Sequence, residues 1–257
     1  MAPSVALKSH STTVDAGYDD VVAALAMQTE LPVVIAVAVL PQQRLLLTVV
    51  ESNHLAMIAH CLDADRRFAM LGRIEETGQV LSYGTECEIV ASEVKDDGSA
   101  TVEVVGRRQF TLSGEPWIEE VENLGGYQMA RVNWNEEAAQ SYASRASSEE
   151  EVASVQLEQR VQIWSGLVRR HRNQEAETQQ TLEETLENLG PMPGVERGPS
   201  YRAMWVAALI NPGHGMNGVA NDVRHVMLAA RNHTERLSVV TSTLEASIRD
   251  LQAGARL

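Results

Sequence analysis

Short apolar runs fill the first half of the chain and predict β-strands. They are rich in valine, leucine and isoleucine, and turn-forming residues separate them, which is the pattern of a sheet built from short strands. In chain order they read VVIAVAVL, LLLTVV, RRFAMLGRI, QVLSYG, CEIVASEV, SATVEVVGRRQFTL and LGGYQMARVNW. Asp97-Gly98 lies between two of them and predicts a hairpin, because glycine tolerates a positive φ. One amphipathic helix, residues 52–62, interrupts the series.

Helical spacing replaces the strand pattern after residue 134. Residues 135–151 carry five glutamates against one arginine, and Ser148 with Glu151 predicts a capping box at a helix start. Apolar residues then recur at roughly helical spacing, namely Val152, Val155, Val161, Trp164, Leu167 and Val168. The polar tract 169–188 continues the helical composition. Three further helices are predicted, at about 200–210, 217–231 and 234–252.

These patterns divide the chain into four segments of an α+β fold. They are an N-terminal arm (1–30), a β-domain (31–134), an acidic linker (135–150) and a helical domain (151–257). A compact chain of this size buries roughly 70–75% of the surface that its unfolded form exposes. The fold therefore needs neither a disulfide nor a metal to hold it together, and we expect no cofactor.

The charge balance excludes several function classes. The chain has 35 acidic and 21 basic residues, a net charge of −14, so it repels the phosphate backbone of nucleic acids. Lys8 and Lys95 are its only lysines, and neither lies in the glycine-rich turn of a phosphate-binding loop. We therefore expect no nucleic-acid partner and no nucleotide hydrolysis.

The cysteine content and the apolar runs favour an intracellular, reducing compartment. Cys61 and Cys87 form no CxxC pair, and both are expected to be unpaired thiols that bind no metal. The longest apolar run, 31–41, is shorter than the about 20 residues that cross a bilayer, so no direct membrane insertion is expected. Residues 1–14 contain no acid, which fits a disordered arm or the remnant of a transit peptide. The compartment is then the cytoplasm or an organelle interior, such as that of a plastid or mitochondrion.

Two polar groupings invite a chemical role, and both are interpreted as structural. His60 and Cys61 are adjacent on the predicted helix and point in different directions, and no second pair at zinc spacing follows. Arg107 and Arg108 lie in one predicted strand, so one of them points inward or to an edge. An inward arginine usually pairs with a buried carboxylate, and Glu51 is the candidate partner.

Several segments together resemble the N-terminal domain of Lon proteases, also called the Lon substrate-binding domain. The segments are PQQRLLLTVVESNHLAMIAHCLDADRRFAML, YGTECEIVASEVKDDGSATVEVVGRRQFTL and YQMARVNWNEE. Gly84-Thr85 and the GRRQF at 106–110 are the most specific matches. The helical MWVAALINP and TERLSVVTSTLEASIRDLQ are similar to the family's C-terminal part, so the resemblance covers about residues 31–252. It implies a PUA-like β pseudo-barrel followed by a helical bundle.

The resemblance also implies a module that recognises polypeptides. The ATPase and the Ser-Lys protease that follow this domain in Lon do not occur in these residues, and neither lysine has a plausible catalytic setting. The leading hypothesis is therefore a non-catalytic protein-binding module, acting as a subunit of or binding factor for a larger assembly. Two alternatives stay open: an adaptor that delivers client proteins to a separate protease, and an enzyme with an unrecognised small-molecule site.

The polar helical tract is the main departure from the family and the predicted contact surface. Leu182, Leu186 and Leu189 form a narrow apolar stripe among polar residues. A long helix that is polar on most sides gains little from its own core. We therefore predict that this helix projects, and that Trp164, Leu182 and Leu186 contact a protein partner. The sequence leaves the oligomeric state open.

Overall fold

A computed structural model shows seven strands and six α-helices in the residues that it describes. These are residues 28–36, 38–74, 77–121, 125–135, 139–140, 142, 144–172, 182–211 and 223–254. The strands are β1 (Gln28–Ala36), β2 (Arg44–Val49), β3 (Arg67–Arg73), β4 (Val80–Val94), β5 (Ala100–Leu112), β6 (Trp117–Val121) and β7 (Gly125–Trp134). The helices are α1 (Ser52–Asp63), α2 (Ser148–Arg172), α3 (Leu182–Leu189), α4 (Pro199–Ile210), α5 (Val223–Ala229) and α6 (His233–Gly254), with a short 3-10 turn at Val195–Arg197.

Five of the strands close into a ring, which is the predicted pseudo-barrel. β1 pairs in parallel with β3 and antiparallel with β7. β3, β4 and β5 follow as antiparallel neighbours. The ring closes where β5 pairs with β7, from Phe110 opposite Trp134 to Leu112 opposite Val132. The mixed sheet and the helices after it confirm the predicted α+β class.

The remaining two strands each pair with one strand of the ring and form the edges of the sheet. β2 pairs with β5, and β6 pairs with β7. The strand order is β2-β5-β4-β3-β1-β7-β6, so β2 and β6 stand at its two ends. The predicted hairpin joins β4 to β5: Gly98 has a φ of +83°, and the Lys95 amide donates to the Ser99 carbonyl at 2.8 Å.

Several element boundaries differ from the predicted ones. β1 begins at Gln28, inside the segment expected to be an arm, and α2 begins at Ser148, inside the expected linker. The capping box is built by Ser147 and Glu150 rather than Ser148 and Glu151. The Glu150 amide donates to Ser147 Oγ at 3.2 Å, and the Ser147 amide donates to the Glu150 carboxylate at 2.8 Å. The residue just before the first helical residue is the one whose hydroxyl reaches the third amide of the helix.

The helical half packs around its own core and reaches into the β-domain. Helices α2, α3, α4, α5 and α6 contribute most of this core, and Ala38 and Leu40, from the connection between β1 and β2, insert among them. The β-domain has two further apolar clusters, one of which contains Phe68 and Ile89 and is partly covered by α1. The two halves therefore share apolar surface as well as a covalent link.

Candidate functional site

The three predicted contact residues lie against the helical core and not on a projecting surface. Trp164 and Leu182 are buried, and Leu186 packs against the same cluster. The Trp164 indole N–H donates to Ser247 Oγ on α6 at 2.9 Å. The narrow stripe of α3 packs on its own domain because that stripe is the only apolar surface the short helix has to bury.

An exposed ion pair connects α3 to α2. Arg169 and Glu183 lie 2.9 Å apart. Residues 173–181, where the tract was expected to project, lie outside the described residues. Trp164 and Leu182 are buried and Leu186 is partly buried, and a contact of these three residues with a protein partner stays a prediction.

A buried carboxylate joins three strands of the ring. Glu86 on β4 lies opposite a β-bulge of β5 formed at Arg107 and Arg108, and its side chain is 1% exposed. Arg108 donates to its two oxygens, each at 2.9 Å, and Arg67 donates at 3.2 Å. The Arg108 guanidinium also lies 3.6 Å from the centre of the Trp134 ring. Burial alone would raise the pKa of Glu86, but the hydrogen bonds and charges of Arg108 and Arg67 outweigh it, so the pKa is lowered.

The partner predicted for the inward arginine was wrong. Glu51 lies beside His54, 3.0 Å from its Nδ1, at the start of α1. Arg108 pairs with Glu86 and Arg107 with Glu88, the latter at 2.7 Å. The reason is strand register: Glu86 faces the β5 bulge that contains both arginines, and Glu88, which is opposite Val105, lies diagonally from Arg107.

Gly84-Thr85 and the GRRQF segment at 106–110 lie where two segments of the backbone are in close contact. A Cβ atom at Gly84 would overlap the Met70 carbonyl oxygen, and one at Gly106 would overlap the Leu40 carbonyl oxygen. Thr85 Oγ1 donates to the Val39 carbonyl at 2.6 Å. Gly106 and Thr85 hold the connection between β1 and β2 against the ring, and Gly84 lets β3 and β4 lie close together. The role of these residues is to shape the fold.

A buried arginine from the helical half fastens the two halves together. Arg224 on α5 donates to the Ala38 carbonyl at 2.6 Å, to Gln43 Oε1 at 2.7 Å and to the Asn211 carbonyl. Burial lowers its pKa to about 9. Gln109 on β5 adds a hydrogen bond to the Leu228 carbonyl at 3.1 Å. The pattern of apolar residues carries no signal for this junction, because its acceptors are mostly backbone carbonyls.

The contact between Ser200 and His233 in the helical half is a structural link and not a catalytic pair. Ser200 Oγ lies 2.6 Å from His233 Nδ1 and accepts a hydrogen bond from Arg236 at 2.9 Å. The second ring nitrogen of His233 lies 3.1 Å from the Ser144 carbonyl. Ser200 and His233 are both buried, so no substrate reaches the hydroxyl. The network joins the linker to α4 and α6.

Both cysteines are free thiols in the apolar cluster beneath α1. Burial raises the pKa of Cys61 to about 12 and raises that of Cys87 as well. We expect neither thiol of the native protein to react with DTNB at neutral pH, and both to react in guanidinium chloride. Because the folded state disfavours the thiolate, the free energy of unfolding should also fall as the pH rises above the ordinary value of 9.0. Rapid reaction of one native thiol would contradict this packing.

β2 is the exposed edge that is best suited to bind another chain. Among the described residues it pairs with β5 alone. The backbone N–H and C=O groups of every second residue in such an edge strand point away from its partner. Leu46 in the strand is 68% exposed, and Val50 just after it is equally open. Arg44 at the start of the strand is paired with Glu103 on β5.

The opposite edge of the sheet, β6, carries charged residues that protect it from pairing with another strand, and β2 lacks them. β6 reads WIEEV, and its exposed Glu119 and Glu120 discourage pairing with another strand. β2 reads RLLLTV and has no charge after its first residue. Leu45, Leu47 and Val49 alternate with the exposed positions and pack against the β-domain core, so the register of β2 is fixed. Helix α3 contacts the strand, while Leu46, Thr48 and Val50 along its outer edge stay exposed. We call this outer edge, with Leu46, Thr48 and Val50, the β2 edge.

Comparison with known proteins shows the family of the chain. Residues 30–246 match the family model for the substrate-binding domain of the ATP-dependent protease La (Lon). The chain belongs to the Lon substrate-binding domain family. A search of curated protein sequences finds no match. The family match is to the substrate-binding domain of the protease, which is non-catalytic, and it indicates a protein-binding module.

Two solved Lon-family structures share the fold. One is the Lon N-terminal domain protein from Xanthomonas campestris, with a TM-score of 0.53 and 17% identity over 83% of this chain and 98% of that one. The other is the N-terminal domain of the Mycobacterium avium complex Lon protease, with a TM-score of 0.52 and 16% identity over 84% and 98%. At these identities the likeness concerns the fold alone.

The described residues contain no group of three or more histidine, cysteine, aspartate or glutamate side chains placed to hold a metal ion. No helix in the same residues has the length and the apolar character needed to cross a membrane.

Proposed function

We propose that this protein is a non-catalytic module that captures an extended polypeptide segment along the β2 edge. The observation that carries the proposal is an edge strand with no charge after Arg44 and with an exposed leucine, in a family of substrate-binding domains. A segment that adds as a further strand satisfies the outward backbone groups of β2 whatever its sequence. This mode suits a module that must accept many polypeptides.

The side chains and the net charge set the preference for the captured segment. Leu46 and Val50 offer apolar contacts at alternate positions along the edge, so alternating apolar side chains on the bound segment are favoured. The net charge of −14 disfavours acidic segments. We therefore expect preference for extended apolar segments that are neutral or basic.

Replacing Leu46 with lysine should weaken this capture without unfolding the protein. The lysine removes an apolar contact worth about 1.5 kcal/mol or more and puts a charge at the edge, so we expect at least about tenfold weaker binding. The probe is a permanently unfolded chain such as reduced, carboxymethylated α-lactalbumin, with affinity measured by fluorescence anisotropy. Leu46 is mostly exposed, so the melting temperature should change little.

The matched control is Ile118→Lys on β6. Ile118 is 56% exposed and also lies on an edge strand, so it undergoes the same chemical change at the other end of the sheet. We expect its binding to equal that of the unmodified protein. Equal loss in both variants, or none in Leu46→Lys, would show that the β2 edge is not the binding surface.

We propose that the module acts as a binding factor for, or a subunit of, a larger assembly. The alternative is that it acts as an adaptor for a separate protease. Both use the same edge and differ in the lifetime of the complex. Affinity capture followed by quantitative mass spectrometry separates them. A stoichiometric set of the same proteins supports the subunit, whereas a protease with many substoichiometric clients supports the adaptor.

A further inference from the structure

The outward side of α2 carries apolar side chains that are exposed among the described residues. Val152, Val155 and Ile163 are about half exposed, and at 100° per residue they fall on one side of the helix together with Gln159 and Gly166. We call these five residues the outer face of α2. The opposite side of the same helix carries its core residues, which are Leu157, Val161, Trp164 and Val168. Three large aliphatic side chains in line on an otherwise polar face are more than the scattered exposure expected of a monomer.

Gly166 gives this face an unusual shape. A glycine within a helix costs about 1 kcal/mol relative to alanine. A Cβ atom at Gly166 would meet nothing within 4 Å, so no neighbour inside the described part of the chain requires the missing side chain. The glycine leaves a notch in the outer face, one turn beyond Ile163. Such a notch allows the backbone or side chain of another helix to come close.

The charges of α2 indicate what covers the face. Its first turn has Glu149, Glu150 and Glu151, and its last turns have Arg169 and Arg170. Arg169 is held by Glu183. Arg170 lies seven residues after Ile163 and therefore on the outer face, where its Nε donates to the Gly166 carbonyl of the same helix at 3.2 Å. A second helix of the same kind, running antiparallel, would place acidic turns beside basic turns at both ends. A parallel arrangement would place like charges together.

We propose that a second copy of this chain docks on the outer face of α2 through an antiparallel, two-fold pairing of the two helices. With the two-fold axis at Gln159, residue numbers that face each other add to 318. Val155 then lies opposite Ile163, and Val152 lies opposite Gly166 and fills its notch. The two ends of the apolar stripe are thus complementary to each other, as an isologous contact requires.

The pairing is expected to be weak and salt-dependent. A single pair of helices buries less than the roughly 800 Å² per partner of a standard interface, and its end charges are exposed to screening by salt. Sedimentation velocity should show the mass rising from 28.1 kDa toward twice that value between about 1 and 500 μM, with a dissociation constant of roughly 10–100 μM at low salt. The β2 edge takes no part, so this inference does not depend on the proposed function.

Two substitutions test the apolar contact. Val155→Glu should abolish the concentration dependence, because it places a carboxylate against the partner's Ile163. Gly166→Leu should abolish it as well by filling the notch, although leucine raises the helix propensity of the isolated chain. The matched control is Val195→Glu, because Val195 is as exposed as Val155 but lies outside α2. Melting temperatures in the monomeric concentration range confirm that each variant is folded.

A charge exchange tests the antiparallel orientation. Arg170→Glu and Glu149→Arg should each weaken the dimer about tenfold, and the double variant should recover most of the lost affinity. A monomer at every concentration overturns the proposal, as does a dimer that Val155→Glu or Gly166→Leu leaves intact. A lower melting temperature of Val155→Glu without any dimer in the unmodified protein also overturns it, because the face is then covered within one chain.

Discussion

Replacing Gly84 with alanine is expected to destabilise the protein by about 3 kcal/mol, the upper part of the usual range for overpacked cores. The added Cβ overlaps the Met70 carbonyl oxygen on β3 and comes within 2.9 Å of the Phe110 ring. A carbonyl in a paired strand has no rotamer to change, so the two strands must separate. Gly106→Ala should act in the same way through the Leu40 carbonyl.

Thermal unfolding followed by circular dichroism measures the effect. A loss of about 3 kcal/mol corresponds to a melting temperature lower by roughly 6–12 °C for a chain of this size. Gly166→Ala, compared at low protein concentration, is the control, since its Cβ has open space. It should stabilise the protein by up to about 1 kcal/mol. If Gly84→Ala and Gly166→Ala shift the melting temperature in the same direction, the close approach of β3 and β4 is not what requires the glycine.

Replacing Arg108 with methionine should cost about 3 kcal/mol at pH 7, more than replacing Glu86 with glutamine. Methionine keeps an apolar side chain against Trp134 but leaves the buried Glu86 with Arg67 as its only charged neighbour in the cluster. A buried carboxylate that loses a charge partner is strongly destabilising. Glu86→Gln instead leaves two arginines that are each at least 39% exposed and so remain solvated. The double variant should therefore recover much of the loss of Arg108→Met.

The pH dependence of unfolding provides a second measurement on the same site. In the unmodified protein the folded-state pKa of Glu86 lies below 4.5. Its contribution to stability is therefore present above pH 4.5 and is lost as the pH falls through the lowered value. Without Arg108 the burial of Glu86 dominates and its pKa should rise. The difference in the free energy of unfolding between Arg108→Met and the unmodified protein should then become smaller as the pH is lowered from 7 to 5.

Arg107→Met is the matched control for this pair of effects. Arg107 is the adjacent residue of β5, but its partner Glu88 is 35% exposed. Partly solvated pairs contribute about 1 kcal/mol or less. We expect Arg107→Met to lower the free energy of unfolding by no more than that, without a pH-dependent deficit between 5 and 7. Equal losses in the two arginine variants would mean that the burial of Glu86 does not govern the stability of this site.

The exposed surfaces were harder to predict from the sequence than the helices and strands. The run LLLTVV predicts a strand whether that strand is central or at an edge, because both bury one face. Whether β2 is open depends on which strands close the ring. The apolar residues of α2 likewise recur with a single helical spacing in the sequence. In the structure, however, Val152 and Val155 are exposed, whereas Val161 and Trp164 are buried. Narrow stripes such as that of Leu182 and Leu186 predict burial as readily as contact.

β6 was not predicted, and the single strand β4 was predicted as two. The sequence by itself determined the order and type of the other elements, the α+β class and the two glycine-containing motifs. These follow from periodicities of two and of three to four residues, and from steric limits that act within a few residues of the chain. Tertiary structure alone decided that Arg108 meets Glu86 and not Glu51, that Leu182 is buried, and that Leu46 of β2 and Val155 of α2 are exposed. Each of these depends on the register and closure of segments far apart in the chain, and no local pattern encodes which of several compatible neighbours a strand or helix meets.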